Sequence, residues 1–67
     1  MRIGERIAEQ RKKEGMSGKE LADRLGVTPA MVYRIESGSK QPPLVLLAQT
    51  AKELNIELSE LVRDVEI

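Results

Sequence analysis

The chain has 67 residues, a formal net charge of zero, and neither cysteine nor histidine. This length suits one domain with a small core, and the missing residue types exclude disulfides and zinc sites of the Cys/His kind. The carboxylates are interspersed with lysine and arginine, as on solvated helix faces, and the sequence has no phosphate-cradling glycine loop. We therefore expect a single domain over residues 1–67 that is not an enzyme, needs no cofactor and has no evident small-molecule substrate.

Aliphatic residues supply nearly all the apolar content, and Tyr33 is the only aromatic residue. Runs of β-branched and aromatic residues with a period of two are missing, so the sequence predicts an all-α fold. The longest apolar run, residues 44–48, is too short to cross a bilayer, and no signal-peptide pattern opens the chain. The expected location is therefore the cytoplasm, without membrane attachment.

The first two of five predicted helices are bounded by clear local signals. Apolar residues at helical spacing begin at Ile3, and the pattern ends near Gly15, which suits a left-handed helix end. The second helix begins at Ser17, three residues before Glu20, in the pattern of a capping box in which each side chain bonds the other's backbone N–H. Gly26 ends this helix.

The third helix follows after a turn of about three residues. Thr28 is a suitable N-cap, and Pro29 occupies the first helical position, where its missing N–H costs nothing. Gly38 ends the helix. Two helices joined in this way match the helix-turn-helix unit, although spacing alone does not distinguish a DNA-binding unit from a plain helical hairpin.

A fourth helix ending at Asn55 and a short fifth helix are predicted from the remaining apolar positions. We expect the buried stripe of the fourth helix to consist of Leu44, Leu47, Ala48, Ala51 and Leu54. Leu58 and Leu61 indicate the fifth helix. The sequence thus predicts a five-helix bundle with no internal repeat or linker.

Three segments taken together resemble the Cro/repressor-type helix-turn-helix domains of phage and bacterial regulators, the Xre family. They are IGERIAEQRKKEGMS, KELADRLGVTPAMVYRIESG and PPLVLLAQTAKELNIELSELV, which cover roughly residues 3–62 in the family's order and spacing. The resemblance implies a compact, lambda-repressor-like bundle that binds double-stranded operator DNA as a two-fold dimer. It also implies a structural ion pair between Arg11 and Glu36, which orients the first and third helices.

The resemblance makes residues 29–37 the recognition helix, which lies in the major groove. The family's base-reading positions correspond to Pro29, Ala30 and Arg34, and a helical wheel places Tyr33 on the same side. Arg34 is the best reader, because its planar fork can contact guanine O6 and N7 together. We expect base contacts from Pro29, Ala30, Tyr33 and Arg34; a contact from Tyr33 to a phosphate or a sugar edge is an open alternative.

Phosphate contacts are expected around the start of the second helix and at both ends of the third. The candidates are Ser17, Gly18, Lys19, Thr28, Ser37, Ser39 and Lys40. The family usually has a glutamine in place of Gly18, an asparagine in place of Ser37 and a lysine or arginine in place of Ser39. Each departure lowers the expected affinity for DNA or indicates an unusual operator, although Lys19 supplies a compensating charge.

The charge distribution is compatible with DNA binding. Residues 1–40 contain nine basic and six acidic residues, a net charge of +3, whereas residues 41–67 contain two basic and five acidic residues, a net charge of −3. The basic first part is the part that contains the predicted helix-turn-helix unit.

A dimer interface is predicted from the apolar residues that exceed what one face of the last two helices can bury. Its candidates are Val45, Leu46, Leu58, Val62 and Val65, with Ile67 at the chain end. The alternative interpretation is that some of these residues complete a modest core.

A second function stays open: a helix-turn-helix module that pairs with another regulator or a toxin and binds DNA weakly or not at all. Zero net charge, Gly18, Pro29 and Ala30 favour it, whereas Arg34, Lys40 and the basic first part favour DNA. We expect double-stranded DNA and a second copy of the chain as the partners.

Overall fold

The computed structural model describes residues 1–65. Five α-helices follow in chain order: α1 (Ile3–Lys13), α2 (Gly18–Leu25), α3 (Pro29–Ser37), α4 (Leu44–Glu53) and α5 (Leu58–Leu61). Residues 1–65 contain no strand, and the all-α prediction is confirmed. Within the same range, no helix is both long and apolar enough to cross a membrane.

The core is formed by all five helices around α2 and α3. Its buried apolar residues are Ile3, Ile7, Met16, Leu21, Ala22, Val32, Ile35, Ala51, Leu54 and Leu61. The largest of those that are fully buried are Leu21, Leu54 and Leu61. Burying each leucine stabilises the fold by about 2 kcal/mol relative to leaving it in water, so these three side chains hold α2, the end of α4 and α5 together.

Local capping explains why α2 and α3 begin where they do. The Ser17 hydroxyl accepts a hydrogen bond from the backbone N–H of Glu20 at 3.0 Å, and the Thr28 hydroxyl accepts one from Met31 at 3.2 Å. Pro29 occupies the first turn of α3, as predicted. Only half of the predicted capping box is present, because the Glu20 carboxylate accepts a bond from Arg24 at 3.0 Å instead of turning back to the cap.

Left-handed residues end the helices at the predicted places. Gly15, Gly26 and Gly38 have φ angles of 67°, 70° and 87°, and Asn55 has a φ of 55°. Glycine adopts this conformation without steric cost, and asparagine is among the other residues that tolerate it best. The short loops between the helices therefore follow directly from the positions of these four residues.

The buried face of α4 differs from the predicted stripe. Leu44 is 72% exposed and Ala48 is also exposed, so the prediction is wrong for these two residues. Leu47, Ala51 and Leu54 face the core as predicted, Leu46 also packs against it, and Thr50 is buried. Thr50 tolerates burial because its hydroxyl donates a hydrogen bond to the Leu46 carbonyl at 2.8 Å, within its own helix.

Close backbone contact between α1 and α3 depends on Gly4. A Cβ at this position would collide with the carbonyl oxygen of Ile35 and lie 2.8 Å from that of Glu36. The beginning of α1 therefore packs directly on the last turn of α3, at a separation that only a glycine allows.

The other side of α1 holds the C-terminal part of the fold through polar side chains. Arg6 donates hydrogen bonds to the carbonyl oxygens of Glu60 and Arg63 at 2.7 and 2.8 Å, at the end of α5. Gln10 donates to the carbonyl of Leu54 at 3.2 Å, at the end of α4. These bonds satisfy carbonyls that the helix ends leave without intrahelical partners.

Replacing Gly4 with alanine should lower the free energy of unfolding by about 1–3 kcal/mol, because the added methyl group has no space beside α3. In an unobstructed helix the same change would raise it by about 1 kcal/mol, so the sign of the effect is decisive. Urea unfolding followed by far-UV circular dichroism measures it, with the exposed Glu9→Ala on the same helix as the control. A stabilised Gly4→Ala variant would contradict the close approach.

Candidate nucleic-acid interface

Helices α2 and α3 form a compact unit with a three-residue turn, Gly26 to Thr28. The backbone N–H of Val27 bonds back to the carbonyl of Ala22 at 3.0 Å, which closes the end of α2 over the left-handed Gly26. The Thr28 cap then starts α3 at once. Chain connection, packing and turn length are those of a helix-turn-helix unit.

One side of α3 is exposed along its whole length. Ala30, Tyr33, Arg34 and Ser37 are exposed at spacings of three and four residues, which places them in one stripe. The Pro29 side chain at the start of the stripe is half-buried. Val32 and Ile35 on the opposite side are 2% and 5% exposed and belong to the core. All four candidate base contacts therefore lie on or beside the stripe.

Tyr33 lies across the first turn of α2. A Cβ at Gly18 would be 2.9 Å from Tyr33 Cε1 and 3.4 Å from both Cζ and the hydroxyl oxygen. Gly18 is buried, whereas Tyr33 is 56% exposed. The ring thus covers Gly18 on one side and faces solvent on the other, a contact between two residues that sequence reasoning had considered separately.

A bidentate ion pair fixes α3 against α1. Arg11 Nε and Nη2 donate to the two carboxylate oxygens of Glu36 at 2.7 and 3.0 Å, and Nη1 donates to the carbonyl oxygen of Met16 at 2.8 Å. Both side chains are only 12% exposed. The hydrogen bonds to Glu36 raise the pKa of Arg11. Burial of the guanidinium lowers this pKa, whereas the negative charge of Glu36 and the nearby Tyr33 raise it further. The guanidinium therefore stays charged and bonded at three points.

The start of α2 presents two backbone N–H groups, those of Gly18 and Lys19. As the first residues of a helix they lack intrahelical acceptors, and the helix dipole adds partial positive charge there. The Ser17 hydroxyl beside them already accepts the N–H of Glu20. Among the candidate phosphate contacts at this end, Lys19 is exposed and available to an anion, whereas Gly18 is buried beside the Tyr33 ring.

The loop after α3 is held by the carbonyl oxygen of Arg34. The backbone N–H groups of Ser39 and Lys40 bond to it at 3.0 and 3.1 Å, and the hydroxyls of Ser37 and Ser39 donate to it at 3.1 and 3.2 Å. The two serines therefore order the loop, and Lys40 extends from it as an exposed cation. The direct phosphate contact expected of each serine stays a prediction.

Arg2 is a basic residue near this loop that sequence reasoning did not single out. It lines an open cleft of about 270 Å³ together with Lys40 and Gln41, between the beginning of α1 and the end of α3. Its guanidinium Nη1 lies 3.3 Å from where a Cβ at Gly38 would be. No local pattern could have found it, because the proximity of residues 2 and 40 is a property of the fold.

The candidate dimer residues fall into two groups. Val45 and Val62 are exposed, at 72% and 38%, whereas Leu46, Leu58 and Val65 are partly buried and pack against the core. Ile67 lies outside the described residues. Three of the candidates therefore serve the core at least in part, and two point to solvent.

The fold and the exposed α3 stripe define a small helix-turn-helix domain of the Cro/repressor type. The model of the helix-turn-helix family HTH_3 matches residues 7–61, more than half of the chain. The chain belongs to this family, as the sequence resemblance predicted.

Two relatives are named as regulators. The chain is 39% identical over 51 residues to an uncharacterised HTH-type transcriptional regulator of the archaeon Methanothermobacter thermautotrophicus, covering 76% of this chain and 74% of the relative. It is 34% identical over 61 residues to the phage CTXphi transcriptional repressor RstR of Vibrio cholerae, covering 91% of this chain. The chain spans only 54% of the length of RstR. Membership of a family of regulators confirms that the chain is not an enzyme.

Two solved structures with DNA share the fold. The biofilm regulator SinR in complex with DNA has a TM-score of 0.82 and 31% identity, covering 90% of this chain and 97% of the other. The P22 c2 repressor in complex with a synthetic operator has a TM-score of 0.85 and 25% identity, covering 94% and 96%. The lambda-repressor-like, five-helix fold predicted from the sequence is thereby confirmed.

Replacing Arg11 with methionine should reduce the free energy of unfolding by about 2–4 kcal/mol, because the mostly buried Glu36 carboxylate loses its partner. The double variant Arg11→Met/Glu36→Leu removes both charges and should recover much of this loss. Chemical denaturation of the wild type, both single variants and the double variant measures the coupling between the two residues. Additive losses would mean that the pair does not hold α1 and α3 together.

Proposed function

We propose that this chain binds double-stranded DNA sequence-specifically and regulates transcription, with α3 in the major groove. The observation that carries the proposal is the continuous exposed stripe of α3, flanked by the amides and Lys19 at the start of α2 and by Lys40 after α3. Structural likeness to two proteins solved with DNA supports this placement of α3. Such a regulator works in the cytoplasm, where a prokaryotic or phage operator is found.

Base recognition is assigned chiefly to Arg34. Its exposed guanidinium can make two parallel hydrogen bonds to guanine O6 and N7, the commonest specific contact in the major groove. Ala30 and the ring of Pro29 pack against a thymine methyl group, which discriminates more weakly. One residue that discriminates strongly and two that discriminate weakly specify only a short DNA sequence.

Backbone contacts supply most of the affinity in this proposal. At one end of the stripe, the N–H groups of Gly18 and Lys19 and the Lys19 side chain hold one phosphate, with Ser17 and Thr28 beside them. At the other end, Lys40 approaches a second phosphate from the loop that Ser37 and Ser39 order. These contacts fix the register of α3 on the duplex without reading sequence.

We further propose a two-fold homodimer through α4 and α5. Leu44 and Val45 are each 72% exposed, and Val62 at the end of α5 is 38% exposed, which is a large apolar exposure for so small a chain. Leu46, Leu58 and Val65 lie partly exposed behind them. A two-fold dimer sets the two copies of α3 about 34 Å apart, so the operator is partly palindromic.

The alternative function is a protein-interaction module that has lost DNA contact. The apolar start of α3, Pro29 and Ala30, and the zero net charge favour it. In that case the exposed stripe of α3 contacts a partner protein, and binding to DNA is weak at any salt concentration.

Arg34→Ala should relax the preference at one base position by about 1–3 kcal/mol, because it removes the bidentate contact. Lys40→Ala should instead weaken binding to all duplexes similarly and lower the dependence on salt. Preferred duplexes selected from a random pool and then measured at two salt concentrations test both variants. If the wild type enriches no sequence and its binding does not depend on salt, the interaction module is the better interpretation.

Val45→Lys should shift the protein towards monomers, because it places a charge in the centre of the proposed interface. Affinity for a palindromic duplex should fall, whereas the helical content measured by circular dichroism should stay unchanged, because Val45 is exposed and not part of the core. Sedimentation velocity over a range of concentrations measures the assembly state, with Gln49→Lys, an exposed polar position on the same helix, as the control. A wild-type protein that stays monomeric at high concentration without DNA argues against this interface.

A further inference from the structure

Tyr33 is placed differently from the other residues of the exposed stripe. Ala30 and Arg34 extend from α3 into solvent, whereas the hydroxyl-bearing edge of the Tyr33 ring lies against Gly18 in the first turn of α2. The hydroxyl oxygen is 3.4 Å from the position that a Cβ at Gly18 would take. Its side chain thus joins the two helices of the unit at their outer edge.

The glycine at position 18 is required by this placement. A Cβ there would approach Tyr33 Cε1 to 2.9 Å, closer than real Cβ atoms come to a neighbouring atom. Gly18 has no left-handed backbone that would otherwise call for glycine, since it is the first residue of α2. With the ring in its observed position there is no room for a Cβ at residue 18, so a side chain there would push the exposed ring aside.

The surroundings of the hydroxyl favour an anion. The backbone N–H groups of Gly18 and Lys19 have no intrahelical acceptor, Lys19 is exposed, and the dipole of the eight-residue α2 is positive at this end. The nearby carboxylate of Glu36 is neutralised by Arg11. The exposed Tyr33 phenol, whose O–H can rotate, can add one hydrogen-bond donor to those at the start of α2 without adding charge.

We propose that the Tyr33 hydroxyl donates a hydrogen bond to the DNA phosphate bound at the start of α2, and that Gly18 is needed because it leaves room for the ring. This inference rests on the proposed DNA binding. It makes Tyr33 a residue that positions α3 on the DNA backbone, instead of the base reader that the helical wheel suggested. A single phosphate is then held by both helices, which fixes the angle at which α3 enters the groove.

The first test is Tyr33→Phe, which removes the hydroxyl and keeps the ring. Affinity should fall about tenfold for the preferred duplex and by the same factor for duplexes with single base changes. The dependence of affinity on salt should stay as in the wild type, because no charge is lost, whereas Lys19→Ala should reduce it. Circular dichroism should show unchanged folding for Tyr33→Phe.

The second test identifies the phosphate. Neutral methylphosphonate linkages are placed one at a time along the preferred duplex. Binding of the wild-type protein should weaken strongly when one particular linkage in each half-site is replaced. At that linkage the methylphosphonate should reduce the affinity of the Tyr33→Phe variant clearly less than it reduces the affinity of the wild type. Gly18→Ala displaces the ring and should therefore lower the affinity of the wild type for the preferred duplex. Added to Tyr33→Phe, the same change should lower the affinity little further.

Three outcomes overturn the inference in distinguishable ways. A wild-type protein that binds no duplex removes the proposed function and the inference with it. Wild-type binding that Tyr33→Phe leaves unchanged removes the inference alone. A loss confined to duplexes that differ at one base position would mean that Tyr33 reads a base edge.

Discussion

The hydrogen bonds of the Arg11 guanidinium are the interaction on which the arrangement of the first three helices depends. Two of them reach Glu36 near the end of α3, and the third reaches the carbonyl of Met16, just before the cap of α2. One side chain of α1 thus fixes both helices of the helix-turn-helix unit. Because the pair is largely buried, rearrangement would leave a desolvated charge unpartnered, and alternative orientations of α3 are strongly disfavoured.

Helix α1 connects the two surfaces to which we assign function. On one side Gly4 allows backbone contact with the last turn of α3, and on the other Arg6 bonds the carbonyls at the end of α5. The exposed α3 stripe and the apolar surface of α4 and α5 are therefore held on one rigid support. In the proposed two-fold dimer this shared support sets the spacing of the two α3 helices.

Local signals in the sequence predicted the helix boundaries well, since a cap or a left-handed glycine acts over only a few residues. Ser17, Thr28 and Gly26 are examples. The orientation of α4 was predicted less well, because Thr50 is buried by forming a bond within its own helix, which no hydropathy pattern reveals. The exposed stripe followed from helical spacing. The contact of Tyr33 with Gly18 and the approach of Arg2 to Lys40 did not, because each joins residues far apart in the chain.

Zero net charge is compatible with DNA binding once the positions of the charges are considered. Screening at physiological salt limits interactions between exposed charges to roughly 8 Å, so the charges near the duplex decide the attraction. Near the α3 stripe the carboxylates of Glu36 and Glu20 are occupied by Arg11 and Arg24. The exposed Lys19, Arg34 and Lys40 then dominate the local field, while the excess acidic residues lie in the sequence after residue 40. The proposed DNA binding therefore gains little from long-range attraction and depends on short-range contacts between these cations and the phosphate backbone.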